Sequence, residues 1–240
     1  GAIIGSAKDD IKKSLAGSTM SQIGYMILAV GLGPIGYVFA IFHLLTHGVF
    51  KAGLFLGAGS VMHGTHDNVN MRRYGALRGV MVITFITFLF GYLAIIGIPP
   101  FAGFFSKDAI LEAMHLSNAP GAHLADWLLV AGVFIGGLYS FRLVFMAFHG
   151  QERMDAGTRE HLHESPWVVT LPLVLLAIPS VAAGWLIGPV LFGDYFGEAI
   201  RILPAHAAME EMARDFHGVL GFIGHGFTSL PLWLGIAGAA

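Results

Sequence analysis

Three ionisable side chains lie inside an apolar stretch long enough to cross a bilayer: His43, His47 and Lys51, in the run IFHLLTHGVFK over 41–51. Their i, i+4, i+8 spacing puts them on one helix face, drifting about 40° per step and spanning roughly 12 Å along the axis. A charge at the bilayer centre costs at least about 2.5–3.5 kcal/mol on insertion scales, and it usually marks a route for ions or protons. Burial disfavours the charged form of an amine, and imidazole titrates near neutrality. Such a row can therefore take up and pass on protons. Two other chemistries fit the same residues: a polar knob bonded to a neighbouring helix, and a zinc site on His43 and His47. The second lacks a nearby carboxylate or cysteine.

Lys107 and Asp108 form a second group, past Gly97-Ile-Pro99-Pro100 and still inside an apolar stretch. Lys107 is a second protonatable site beside the interrupted backbone. Asp108 is adjacent in sequence and need not face Lys107; it is placed to accept a proton on the outward side. The plain alternative is that both snorkel toward an interface. Weaker candidates are Arg142, read as a snorkelling anchor, and His63 and His66, read as a wet helix end. His161, His163 and Glu164 are a possible metal set on a polar loop, while Glu112 and His115 reach the outer headgroups. Gly57 and Gly59 are expected to allow close helix packing.

Six spans would position these groups: 19–33, 36–62, 80–114, 126–149, 166–188 and 216–238. Residues 1–7 read as the tail of an earlier helix. Thr19 with Gln22 makes a capping box that would start the first span, and Gly31, Gly33 and Pro34 would end it. The third span is too long for one straight helix. Each proline removes a backbone donor and clashes with the preceding turn, so Gly97, Pro99 and Pro100 should break it. The second piece should start at Pro99–Pro100 or behind a Ser106 cap. Non-helical backbone at that depth must be buried in protein or line water. A surface helix is expected over 194–215. Basic residues alternate between loops, with Lys8, Lys12 and Lys13, then Arg72, Arg73 and Arg78, then Arg153 and Arg159 falling on one side. That side, with the Arg72 loop, is cytoplasmic; Arg201 and Arg214 break the pattern mildly.

The composition agrees. Of 240 residues, 55% are hydrophobic and 12% charged, about half the charged share of a soluble domain. A net charge of −2 gives no reason to expect nucleic acid as a partner. The chain has no cysteine, so it offers no disulfide, thiolate cluster or CxxC motif. No phosphate loop or dinucleotide fingerprint occurs. The fold class is an all-α polytopic membrane protein. Both ends read as cut from within a longer chain.

Three segments resemble the antiporter-like membrane subunits of respiratory complex I, most closely the distal L-type (chain 5) subunit. They are DIKKSLAGSTMSQIGYM (10–26), FHLLTHGVFKA (42–52) and GIPPFAGFFSKD (97–108). The resemblance covers roughly residues 8–115. It implies one half of an inverted-repeat fold, with a second helix bundle and its proton half-channel over 1–149 and additional helices over 150–240. It implies a proton-translocating subunit of an NADH:quinone oxidoreductase in an energy-coupling membrane, bacterial plasma or mitochondrial inner. The central relay lysine maps to Lys51, the relay histidines to His43 and His47, and the lysine of the broken helix to Lys107. No cofactor is implied in this chain; FMN, iron–sulfur clusters and quinone belong to partner subunits. The implied partners are membrane-arm subunits, above all the adjacent antiporter-like one, and lipids. The first bundle's glutamate and lysine, the lateral helix and the last span are missing, so the fragment would not pump alone. Gly17, where relatives usually carry Tyr, is expected at a helix entrance. The rivals are the large subunit of a multi-subunit cation/proton antiporter, a membrane-bound hydrogenase subunit, and a scaffold whose polar residues are only structural.

Overall fold

The computed structural model describes residues 1–200 and 207–240. A short helix α1 (Ala2–Ala7) crosses closely over α2 (Ile11–Val30). Helix α2 starts well before the expected Thr19. The Asp10 carboxylate accepts from the backbone N–H groups of Lys12 and Lys13 at 2.9 and 3.0 Å and forms the cap. Thr19 is inside the helix and its hydroxyl bonds back to the Leu15 carbonyl, so the expected capping box does not form. Gly31 ends α2, and Gly33, at φ +78°, turns the chain into α3 (Pro34–Gly64). Gly17 lies within α2 rather than at an entrance. A Cβ there would sit 2.6 Å from the backbone nitrogen of Gly5, so the α1 crossing requires its small size.

The third span is two helices, α4 (Val82–Ile96) and α5 (Ala102–His115). The break falls at Gly97–Pro100 as expected, but α5 starts at Ala102, behind Phe101. Ser106 is therefore a buried residue inside the helix and caps nothing. Helix α6 (Ala122–Phe148) returns to the other side, followed by the short α7 (Ala156–Glu160) and by α8 (Trp167–Ala182). The apolar course of α8 runs on to Phe192 through tighter and wider turns. Part of the 194–215 segment, including Arg201, lies outside the described residues; its described helix is α9 (Ala207–Asp215).

The expected sixth span is a bent pair, α10 (Gly218–Gly226) and α11 (Leu230–Ala239), turning by 61°. The Thr228 and Ser229 hydroxyls take the His225 and Gly226 carbonyls, and Pro231 opens the next helix. By length and composition, α3, α6 and the extended α8 can each cross a membrane, and the bent pair makes a fourth. Helix α2 falls outside that group because Lys12, Lys13, Ser14, Ser18 and Gln22 lower its hydropathy.

Buried polar residues interrupt a mainly apolar core on α2 and α3. On α2, Ser14, Ser18 and Gln22 are buried while Met20, Ile23 and Ile27 are exposed. On α3, His43, His47 and Lys51 are buried while Ile41, Leu44 and Leu45 are exposed. Apolar side chains facing outward are stable only against lipid or another subunit. Gly57 packs against the Phe88 ring, whereas Gly59 lies on an open face of this chain.

One end of the bundle collects the basic loops. Arg142 donates to the Lys8 carbonyl at 2.9 Å and to Asp9 at 2.5 Å, and Arg72 donates to Asp9 at 2.6 Å. Arg153 donates to the Arg72 carbonyl at 3.0 Å. Arg142 is thus an ion-paired anchor. Glu164 accepts from the N–H groups of Ile83 and Thr84 at 2.7 and 3.2 Å and from the Thr84 hydroxyl at 2.6 Å. It caps α4, which engages the carboxylate that the histidine loop offered for a metal. The His161 and His163 rings lie against those of His66 and His63, at centroid distances of 5.0 and 5.6 Å.

Arg72 and, after it, Arg142 hold the Asp9 carboxyl below its usual range. Its contribution to stability is present above the unfolded-state value of about 3.9 and is lost as pH falls through the depressed folded value. Amide exchange in the 69–74 loop, taken relative to the intrinsic rate at each pH, should therefore stay flat between about pH 5 and 8 in the unaltered chain. In Asp9→Asn it should rise at neutral pH; unchanged exchange there would remove the anchor from the account.

Candidate functional site

The broken helix sets the geometry. In a continuous helix the Ile95 carbonyl would receive the N–H four residues on, but that residue is Pro99, which has none. Gly97, at φ +82°, and Ile98 turn their N–H groups back to Ala94 and Leu93. The Ile95 carbonyl is left free at the negative end of α4, where a cation is favoured. The Lys107 amine donates to it at 2.9 Å. Lys107 is 3% exposed, and its amine also lies 5.6 Å from the centre of the Tyr25 ring, a cation–π distance. It is held inside protein and does not snorkel.

His43 sits between α2 and α5, fully buried. Its Nε2 is 3.0 Å from Gln22 Oε1 and its Nδ1 is 2.8 Å from Ser106 Oγ. The Gln22 oxygen only accepts, so in neutral His43 Nε2 carries the proton and Nδ1 accepts from the Ser106 hydroxyl. Thr46 Oγ1 lies 2.7 Å from Ser106 Oγ and also donates to the His43 carbonyl at 3.2 Å. His47 is one turn along, its ring 5.9 Å from that of His43 and edge-on to Phe50 at 5.5 Å. The His47 Nε2 is buried without a hydrogen-bond partner. Lys51, 5% exposed, donates to Ser18 Oγ at 2.8 Å and lies 5.5 Å from the Phe55 ring centre. Lys51 follows His47 by one turn of α3, and Lys107 is next in sequence to Ser106, which bonds His43.

The structure therefore brings Lys51, His47, His43 and Lys107 into one buried row and places Asp108 outside it. Asp108 faces a cavity of about 440 Å³ at the end of the bundle away from Arg72, with Glu112, His115, Asp126 and His225 also on its wall. His115 pairs with Asp126 at 3.1 Å. Sequence reasoning missed the hydroxyl and amide partners Ser18, Gln22, Thr46 and Ser106. A signal existed on α2: Ser14, Ser18 and Gln22 repeat at i, i+4, i+8, the same spacing as His43, His47 and Lys51 on α3.

The family model described as NADH:quinone oxidoreductase/Mrp antiporter, TM, matches residues 1–139. NADH-quinone oxidoreductase subunit L of Mycobacterium tuberculosis is 56% identical over 187 residues, which are 78% of this chain and 29% of that protein. The subunit L of Neisseria meningitidis (serogroup A) is 44% identical over 98% of this chain and 37% of its own length. The chain thus spans about a third of the curated relatives it matches. Among solved structures, a chain of the membrane-bound sulfane sulfur reductase, an archaeal respiratory membrane complex, superposes with a TM-score of 0.70 at 31% identity. That likeness covers 77% of this chain and 30% of the other. Lys51, Lys107 and both histidines fall within the matched stretch, and the chain belongs to the NADH:quinone oxidoreductase/Mrp antiporter transmembrane family.

Proposed function

We propose that this chain is part of the distal, L-type proton-translocating subunit of an NADH:quinone oxidoreductase in a bacterial plasma membrane. The observation that supports the reading is the burial of two amines, Lys51 and Lys107, near His47 and His43, with Lys51 bonded to Ser18, His43 to Gln22 and Ser106, and Lys107 to the Ile95 carbonyl. Lys51 holds a proton beside Ser18, His47 and His43 pass it along α3, and Ser106 brings α5 and Lys107 within reach. Asp108 receives it at the outer cavity. Like charges at neighbouring sites disfavour each other, so each site gates the next. Redox chemistry takes place in partner subunits, which hold FMN, iron–sulfur clusters and quinone. The adjacent antiporter-like subunit and lipids cover the outward apolar faces.

The test uses the whole complex in sealed vesicles, with pumping measured against NADH oxidation. Lys51→Ala or Lys107→Ala should lower protons pumped per electron by roughly ten-fold or more while the complex still assembles. Normal pumping by an assembled variant would refute the relay. Sodium-dependent transport without NADH would instead place the chain in a cation/proton antiporter.

His47→Ala is expected to slow pumping with assembly intact, because His47 spans the gap between Lys51 and His43 along α3. Unchanged pumping in that variant would reduce His47 to a packing residue.

A further inference from the structure

A proton that reaches Asp108 still has to find water. Asp108 opens on the cavity of about 440 Å³, whose wall beyond the carboxylates is mainly apolar. Trp127 and Leu230 on that wall are 71% and 60% exposed. Exposed apolar side chains of this kind face lipid or another subunit, so that side is a poor outlet. A second cavity, of about 270 Å³, lies between α5, α9 and α10, with Asp215 and His217 on its wall. Helix α9 reads AAMEEMARD, too charged for hydrocarbon, and so marks the aqueous surface. Of these two cavities, Asp108 lines the first alone, and Asp215 and His217 line the second alone. Glu112 and His225 line both.

Packing puts these two residues there. Glu112 follows Asp108 by one turn of α5 and shares its face. Helix α10 is seated on α5 by Phe222, whose ring centre lies 5.4 Å from that of Phe104 and 5.9 Å from that of Phe105. Gly226 rests on the Phe104 ring, where a Cβ would collide. The Thr228 hydroxyl takes the His225 carbonyl at 2.7 Å, just past the end of α10. His225 therefore stands in the last turn of α10, where the helix dipole favours a cation. His115, the other imidazole on the larger cavity, is paired with Asp126 at 3.1 Å. Among the described residues the His225 ring has no hydrogen bond.

We propose that His225, with Glu112 beside it, carries the proton from Asp108 across the shared wall into the second cavity and so releases it to the outer water. The inference rests on the relay reading above and adds the step after Asp108. The protonated Asp108 carboxyl gives its proton to the neutral imidazole, leaving a carboxylate and an imidazolium. The Glu112 carboxylate on the same wall favours the imidazolium. The imidazolium then gives the proton to water on the Asp215 and His217 side and returns to its neutral form. Neither cavity is enclosed, and each is large and polar enough for water, so the side chains need not touch. Imidazole suits the step because it both takes and gives a proton near neutrality. The other titratable groups on the two walls are His115 on α5, Asp126 on α6, Asp215 on α9 and His217 ahead of α10.

The test measures protons pumped per electron by the intact complex in sealed inverted vesicles, followed as proton uptake from the outside medium. His225→Ala should lower pumping roughly ten-fold with assembly unchanged. Free histidine loaded inside the vesicles, on the release side, should restore most of that loss and leave the unaltered complex as it was. A purely structural loss would not respond to a free imidazole. Normal pumping by His225→Ala, or a loss that loaded histidine does not restore, would overturn the proposal. If His225→Ala does not assemble, His225→Gln fills the same space without titrating near neutrality, and normal pumping there is equally fatal. Lys107→Ala in the same preparation separates the levels. Lost pumping there beside an unaffected His225→Ala sinks this release step alone; normal pumping by assembled Lys107→Ala sinks the relay beneath it.

Discussion

One carbonyl organises the centre of this molecule. Pro99 cannot give Ile95 the N–H that a helix would supply, and an unpaired acceptor in an apolar interior is costly. The Lys107 amine has the same difficulty from the donor side. Each answers the other at 2.9 Å. The break in the third span and the buried amine are thus one arrangement. With a residue other than proline at 99, the carbonyl would be taken by the backbone and Lys107 would have to find another partner. The close approach of the two half-helices follows. Gly103 has no room for a Cβ against the Ala94 backbone.

Around that pair, three helices present polar rows to one another. Ser18 and Gln22 come from α2, His43, His47 and Lys51 from α3, and Ser106 and Lys107 from α5. No single row satisfies itself, because side chains a turn apart on one helix point the same way. Satisfaction comes across helices, Lys51 to Ser18, His43 to both Gln22 and Ser106. Such cross-helix bonds also fix the register of the bundle where apolar packing alone would let helices slide. The polar line runs through an interior otherwise filled by apolar side chains such as Leu15, Phe50, Leu54 and Phe105, and further apolar residues face outward.

The sequence made the ionisable row and the helix break legible, because both depend on local rules: period 3.6 and the missing proline donor. It misled where the outcome depended on tertiary partners. Thr19 and Gln22 have capping-box spacing, but Asp10 lies earlier with nothing to compete for its carboxylate, and Gln22 is drawn to His43. Ser106 is a good cap residue by type, yet α5 begins before it and its hydroxyl goes to His43. A span starting at Thr19 puts Gly17 at its entrance; with α2 starting at Ile11 it is interior, and the crossing of α1 over α2 explains its size. The bend between α10 and α11 depends on Thr228 and Ser229 reaching back to carbonyls, which composition hides inside an apolar run.

Glu164 ties a polar loop to the first turn of α4, and the Ile95 carbonyl lies at that helix's last turn. Between them run fifteen residues of helix, about 22 Å of stiff rod. One rigid element thus joins the aqueous loop to the buried amine, with the Glu164 cap at its first turn and the Lys107 bond at its last.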